Sequence, residues 1–141
     1  MTITPPTETH HTGGCLCGAV RFEVEGSFEH FFLCHCSRCR KGTGTAHASN
    51  LFSSNARLIW LKGEELVQTF TVEGTRFTRS FCPTCGSALP NVAANGRLKV
   101  PAGSLETPVS LRPEAHIFAG SRANWDDHLE DVPSYHERPG S

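Results

Sequence analysis

The sequence predicts a mostly β protein of short strands stapled together by metal sites. Short segments of alternating apolar and polar residues are separated by turns rich in glycine, asparagine and serine. No stretch shows the sustained period of a long amphipathic helix. Seven cysteines fall in three tight clusters, and such clusters can hold a small β fold together through metal ions. At 141 residues, we expect one domain with its own core.

The clearest predicted strand covers residues 19–25, because Val20, Phe22 and Val24 alternate with charged residues up to a turn at Gly26. Residues 30–33 predict a second strand that runs into the central cysteine segment. Further strands are expected at residues 46–52, 57–61, 66–73, 75–81, 89–93, 98–102 and 114–119.

Turn signals complete this pattern. The two segments on either side of Gly74 read as a hairpin. Residues 42–45 predict a flexible turn, and residues 122–129 predict a single helical turn.

Composition argues against several classes of function. A net charge of −1 provides no general attraction to nucleic acid or to an anionic membrane, and no apolar run is long enough to span a bilayer. Residues 1–12 lack the basic start and apolar stretch of a secretory signal, so we expect a flexible N-terminal tail, a domain over 13–135 and a C-terminal tail over 136–141. Without a secretion signal, the thiols should stay reduced in a cytoplasmic protein.

The central cysteine segment, residues 34–41, carries three thiols within six residues. Cys36 and Cys39 have the spacing of a zinc knuckle, and Cys34 should point to the same side as Cys36 if the backbone there is extended. Structural zinc sites use four protein ligands, whereas catalytic sites use three and leave one position open. Whether this trio has a fourth partner therefore decides its chemistry.

The spacing leaves two groupings of the seven thiols open. One is a zinc ribbon of Cys36, Cys39, Cys82 and Cys85. Its gap is far longer than the roughly 15–20 residues of a simple ribbon, and it leaves an ill-assorted remainder. The other is a closed site of Cys15, Cys17, Cys82 and Cys85, with an open site of Cys34, Cys36 and Cys39. Ligand counts favour the second grouping.

The three cysteine motifs, residues 14–21, 34–41 and 81–87, resemble those of the glutathione-dependent formaldehyde-activating enzyme family, also called centromere-protein-V-like. The segment 116–121 and Trp125 also resemble the ending of this family. The resemblance implies the second grouping: a structural zinc on the four thiols and a catalytic zinc on the three, hence two Zn²⁺ per chain. It further implies the β-tent, Mss-four-like fold. The implied activity is that of a carbon–sulfur lyase of the S-(hydroxymethyl)glutathione synthase type.

A zinc ion with three thiolates favours a soft thiolate as its fourth ligand, which suits the substrates that the resemblance implies, a glutathione-like thiol and a small aldehyde such as formaldehyde. Arg38, Arg40 and Lys41 follow the thiols closely and are candidates for contacts to substrate carboxylates. The alternative for each is that it only solvates a surface turn.

Other polar and aromatic residues are expected to serve the structure. His35 should point away from the ligands that flank it, and the remaining candidate histidines should be ordinary ones: His47, His116 and His128. The acidic residues near the end are expected on a solvated face: Asp126, Asp127, Glu130 and Asp131. The aromatic residues expected mainly in the core are Trp125, Phe31, Phe32, Phe77 and Phe81.

A function of a different class remains open. A non-catalytic zinc-stapled binding module, or a glutathione carrier, would show the same motifs. Nucleic-acid binding is disfavoured because the sequence lacks a basic stretch interleaved with aromatic residues. The sequence leaves the oligomeric state open.

Overall fold

A computed structural model describes residues 9–140 and is built mainly from short strands. The strands are β1 (His10–Gly14), β2 (Arg21–Glu25), β3 (His30–Cys34), β4 (Ala48–Ser53), β5 (Arg57–Lys62), β6 (Gln68–Thr71), β7 (Thr78–Phe81), β8 (Ala88–Leu89), β9 (Asn91–Val92), β10 (Leu98–Pro101) and β11 (Ala115–Ile117). An α-helix, α1, spans Ser37–Thr43. Short 3₁₀ turns lie at Glu64–Leu66, Ala102–Ser104, Ala119–Ser121 and Leu129–Asp131.

These strands form three sheets, ordered β1-β2-β5, β11-β3-β4-β10-β9 and β6-β7-β8. Strand β11 pairs with β3 in the parallel direction, and the other named pairs of the described chain are antiparallel. The predicted mostly β class with short antiparallel strands is confirmed, and β11 is an exception to it. The predicted hairpin is present as β6 and β7, each shorter than expected.

The core contains the apolar residues that alternate with charged residues in and just before β2. Val20, Phe22 and Val24 are fully buried, whereas Arg21 and Glu23 are only partly so. Burying one such side chain contributes about 1.5–3 kcal/mol. The cluster continues with Phe31, Leu51, Leu89, Leu98 and Val100.

The central sheet has two different faces because residues paired across a ladder share a face. Leu51 pairs with both Phe31 and Val100, and these three side chains enter the core. The opposite face carries Phe32, Cys34, Asn50, Phe52, Lys99 and Ile117. This second face is the floor of the cavity described below.

The first strand begins earlier than expected. Strand β1 starts at His10, within the predicted tail, and pairs with β2 along its whole length. His11 is almost fully buried, and its Nδ1 hydrogen-bonds with Thr107 Oγ1 at 2.9 Å. Backbone hydrogen bonds to β2 hold this polar stretch in the sheet, so its polar composition wrongly predicts a flexible tail. Residues 1–8 of the predicted tail lie outside the described part of the chain.

The predicted flexible turn at residues 42–45 is partly helical. Gly42 and Thr43 form the end of α1, and Gly44 stops the helix with a φ of 69°. At the other end, Cys36 Sγ accepts the Cys39 N–H at 3.3 Å and caps the helix. A thiol thus replaces the usual serine or aspartate cap, which explains why the helix escapes sequence analysis.

The helical turn predicted for residues 122–129 is present only at its last residue, where a 3₁₀ turn, Leu129–Asp131, begins. Another 3₁₀ turn, Ala119–Ser121, precedes the segment, and inside it the Asp126 N–H bonds to the Ala123 carbonyl at 3.1 Å in a non-helical turn. A short helix needs an apolar face packed against the protein, and Trp125 is 57% exposed. The expectation that Trp125 anchors the core is therefore also wrong. Within residues 9–140, no helix has both the length and the apolar character needed to cross a membrane.

Candidate metal centres and the cavity beside them

Four thiols converge although the chain separates them widely. The Sγ atoms of Cys15, Cys17, Cys82 and Cys85 lie within 4.8 Å of one another. Cys15 and Cys17 are 3.6 Å apart, and Cys17 and Cys82 are 3.8 Å apart. Zn–S bonds of about 2.3 Å place tetrahedral sulfurs roughly 3.8 Å apart, whereas disulfide sulfurs are at about 2.05 Å. The four thiols therefore fit a tetrahedral metal site.

Two glycine-ended turns bring these thiols together. Cys15 and Cys17 follow β1, where Cys15 Sγ accepts the Val20 N–H at 3.3 Å. Cys82 and Cys85 follow β7, where Gly86 has a φ of 77° and donates its N–H to the Cys82 carbonyl at 2.7 Å. The Ser87 hydroxyl joins the two turns because its oxygen accepts the Leu16 N–H at 2.9 Å.

The thiols of this cluster oppose one another's ionisation. Hydrogen bonds with Ser87 lower the pKa of Cys85 to about 5. A backbone hydrogen bond with Ala19 favours the Cys17 thiolate, but the Cys15 sulfur beside it opposes ionisation and raises the pKa of Cys17 to about 11. Neighbouring thiolates repel one another, so all four ionise together only when a positive charge lies between them. A divalent metal ion would supply that charge.

The second cluster contains three thiols. The Sγ atoms of Cys34, Cys36 and Cys39 lie within 4.8 Å of one another. Cys34 ends β3, Cys36 caps α1 and Cys39 lies in its first turn. Burial raises the pKa of Cys39, and the two neighbouring thiols add to this. Across residues 9–140, no further cysteine, histidine or carboxylate joins the three within that distance.

The structure thus divides the thiols into four and three, as in the second grouping. The ribbon grouping of Cys36 and Cys39 with Cys82 and Cys85 is absent, because the two pairs belong to different clusters. None of the seven cysteines forms a disulfide.

The three-thiol cluster opens into a cavity of about 470 Å³. All three of its cysteines line the cavity, together with Ser37 and Arg38 of α1. The remaining lining residues are Phe32, Asn50, Phe52, Arg76, Phe77, Thr78, Lys99, Ile117, Phe118 and Ser121. This volume lies within the range typical of small-molecule sites.

The three cations expected near the thiols are not equivalent. Arg38 lines the cavity, whereas Arg40 and Lys41 are not among the residues that line it. Lys41 is exposed, and Arg40 Nε is buried without a hydrogen-bond partner. Successive residues of a helix point in different directions around its axis, so residues that are close in sequence on α1 do not all face the cavity.

Sequence analysis missed two further cations, Arg76 and Lys99, that line the cavity. Lys99 Nζ donates to the Thr78 carbonyl at 2.7 Å and lies 5.7 Å from the centre of the Phe77 ring. Burial lowers the pKa of Lys99. The sequence does contain a signal for Lys99. It lies between the core residues Leu98 and Val100, so its side chain must point to the opposite face of the strand.

A histidine cluster lies behind the thiol segment. His35 is fully buried, and its Nε2 hydrogen-bonds with His116 Nδ1 at 2.8 Å. Its Nδ1 lies 3.1 Å from Asp126 Oδ2, and the His47 ring is centred 5.1 Å from its own. Burial lowers the pKa of His35, and Asp126 partly offsets this. His35 is absent from the cavity lining, as expected.

Three expectations about individual side chains are corrected. Asp126 is 7% exposed and faces His35, so it does not belong to a solvated face. Phe32 and Phe77 are partly buried and line the cavity, whereas Phe31 lies in the core as predicted. In each case the ring or carboxylate contacts a partner from a distant part of the chain, which local sequence does not reveal.

Comparisons with known proteins identify the family of this chain. The family model described as glutathione-dependent formaldehyde-activating enzyme matches residues 10–121. A Halomonas elongata protein, provisionally named as such an enzyme, is 37% identical over 82 residues, which are 55% of this chain. The chain spans about half of that relative, 52% of its length.

A crystal structure of a Rhodobacter sphaeroides protein is similar in fold, with a TM-score of 0.53 and 27% sequence identity. The likeness covers 74% of this chain and 97% of that one. The family match extends over most of the described residues and includes both thiol clusters. The chain belongs to the glutathione-dependent formaldehyde-activating enzyme family.

Proposed function

We propose that the chain is a zinc-dependent carbon–sulfur lyase that joins or separates a glutathione-like thiol and a small aldehyde such as formaldehyde. One observation carries the proposal: a cluster of three thiols, with no fourth ligand among the described residues, opens into a cavity of about 470 Å³. Membership of the family supports the choice of thiol and aldehyde.

The proposal assigns two zinc ions to each chain. Cys15, Cys17, Cys82 and Cys85 would hold the structural ion, and Cys34, Cys36 and Cys39 the catalytic one. When bound, a zinc ion at the three-thiol cluster would supply a coordination position at which a substrate thiol ionises near neutral pH.

The reaction needs no redox partner. The thiol loses its proton, its sulfur forms a bond to the carbonyl carbon, and the π electron pair moves to the carbonyl oxygen, which takes up a proton. The product is a hemithioacetal, and the reverse sequence releases the aldehyde. The protein therefore has to bind an anionic thiol and stabilise negative charge on oxygen.

Two cavity cations suit these tasks. The ammonium group of a lysine has three N–H donors. One N–H of Lys99 donates to the Thr78 carbonyl, so the other two can donate to the aldehyde oxygen. Arg38 is exposed at the cavity and would pair with a carboxylate of the thiol substrate. The positive charge of Lys99 would also balance the excess negative charge of thiolates around a divalent ion.

A carrier that binds glutathione without turnover would use the same cavity. Exchange spectroscopy by NMR separates the two functions, because it measures how fast glutathione and formaldehyde interconvert with their adduct. The enzyme should accelerate exchange, and Cys36→Ser should abolish the acceleration while its hydroxyl still caps α1. If the wild-type protein binds glutathione but exchange stays at the rate seen in buffer, the protein is a carrier and not an enzyme.

We further propose that the protein acts in the cytoplasm, where the seven unpaired thiols would stay reduced. The proposed partners are small molecules, with neither nucleic acid nor membrane among them.

A further inference from the structure

The floor of the cavity is aromatic on one side of the thiols. Phe32 and Phe52 project from the face of the central sheet that carries Cys34, with their ring centres 6.0 Å apart. Phe32 is only partly buried, and Phe52 is covered by the Arg97 guanidinium at 4.3 Å. These rings face the cavity and not the core.

Two more rings complete the apolar wall. Phe77 reaches the cavity from the segment before β7, and Phe118 from the segment after β11. Phe118 is 65% exposed and has a φ of 53°, a left-handed conformation that non-glycine residues rarely adopt. The backbone there adopts an energetically unfavourable conformation, and a large apolar ring remains exposed to solvent beside the thiols.

The apolar wall lies beside the reacting sulfur. Phe32 and Cys34 occupy alternate positions of one strand, which places their side chains on one face roughly 6.5–7 Å apart. A group on the carbon joined to a sulfur at the three-thiol cluster would therefore share the cavity with Phe32. The charged ends of a peptide thiol would instead need cations, which Arg38 and Arg76 offer at exposed positions.

Resting on the proposed function, we infer that the cavity takes a substrate whose carbonyl component carries an apolar, ring-sized substituent. Formaldehyde has no group that could occupy the aromatic wall. An aromatic or comparably bulky apolar aldehyde would fill it while its thiol partner contacts the cations. The substrate class is thus a hemithioacetal of a peptide thiol and an apolar aldehyde.

The test is calorimetric binding of stable thioethers to the protein purified with its metal. S-benzylglutathione carries a ring on the carbon joined to sulfur, and S-methylglutathione carries none. The ring compound should bind at least about tenfold more tightly, because the phenyl group leaves water for an apolar wall. Benzyl methyl sulfide, with a ring but no peptide, should bind more weakly than S-benzylglutathione.

Three variants assign the preference to the wall. Phe77→Ala and Phe118→Ala should each reduce the benzyl-to-methyl ratio by about threefold or more. Phe70→Ala is the matched control, since Phe70 is 57% exposed on β6 and absent from the cavity lining. The exposure of Phe118 makes its variant the one least at risk of misfolding.

A wild-type ratio near one would overturn the inference, as would a ratio that both cavity variants leave unchanged. Equal binding of benzyl methyl sulfide and S-benzylglutathione would also overturn it, because the cations would then have no part. Accelerated formaldehyde exchange with a ratio near one would refute this inference and keep the proposed function. Selective benzyl binding without accelerated exchange of either formaldehyde or benzaldehyde would refute the proposed catalysis and keep the aromatic wall only as a binding preference.

Discussion

Replacing Lys99 by methionine tests the proposed role of the buried cation. Methionine has a similar length and no charge, and it can pack against Phe77, whose ring centre lies 5.7 Å from the Lys99 Nζ. The cavity should therefore keep its shape and lose one charged donor. Removing one donor to a developing oxyanion typically lowers a rate by about 10²–10³-fold. We expect a loss of about 10²-fold in kcat/KM for thiol–aldehyde exchange.

The effect on stability should be much smaller. The Thr78 carbonyl loses its hydrogen bond at 2.7 Å but keeps a long contact with Asn91 Nδ2 at 3.5 Å. An unsatisfied buried carbonyl costs roughly 1–3 kcal/mol, and removing a desolvated ammonium offsets part of this. We expect a change in unfolding free energy of about 1 kcal/mol or less, measured by urea denaturation.

Controls separate this role from a general effect of charge. Lys62→Met removes an exposed lysine at the end of β5 and should leave exchange unchanged. Lys99→Arg keeps the charge and should retain more activity than Lys99→Met. The reasoning is refuted if Lys99→Met, with normal metal content and fold, exchanges within threefold of the wild-type rate.

Three other predictions concern the metal sites, the buried carboxylate and the loop cations. Cys82→Ser and Cys39→Ser should each lower the zinc content from about two to about one per chain, but Cys82→Ser should cost several kcal/mol of unfolding free energy, since structural zinc binding contributes about 10–16 kcal/mol to folding. Equal losses of stability, measured with metal analysis on the same samples, would contradict the division into structural and catalytic sites. Asp126→Ala should lower the unfolding free energy by about 1–3 kcal/mol because the buried His35 Nδ1 loses the carboxylate oxygen that lies 3.1 Å from it, whereas the 72%-exposed Asp127→Ala should change it by about 0.5 kcal/mol or less. Similar denaturation midpoints for these two variants would show that the buried pair contributes nothing. Arg38→Ala alone should weaken glutathione binding by about three- to tenfold and reproduce most of the loss seen when all three loop cations are replaced, because the other two do not line the cavity. Calorimetry that assigns the larger loss to either of those two would reject the assignment.

The features that depend on local pattern could be predicted from the sequence. The alternation in residues 20–24 gave the buried face of β2, since side chains of a strand alternate between two environments. The thiol grouping followed from ligand counts and the family resemblance, and the structure brings the same thiols together.

Features that depend on long-range contacts could not be predicted from the sequence. Strand β1 looks like a polar tail because the ladder with β2 and the hydrogen bond between His11 and Thr107 depend on partners that the local sequence does not reveal. Asp126 looks solvated because the histidine that it contacts is distant in the chain. Lys99 and Phe118 become candidate substrate contacts only because several strands and turns together form a cavity that both residues line.

Cadmium-113 NMR of the cadmium-loaded protein tests the central claim most directly, because each metal site gives its own resonance. We expect two resonances per chain: one that titration with glutathione leaves in place, from the four-thiol cluster, and one that glutathione shifts, from the three-thiol cluster. A single resonance, or two that both ignore glutathione, would contradict the division of the seven thiols into a closed site and an open one.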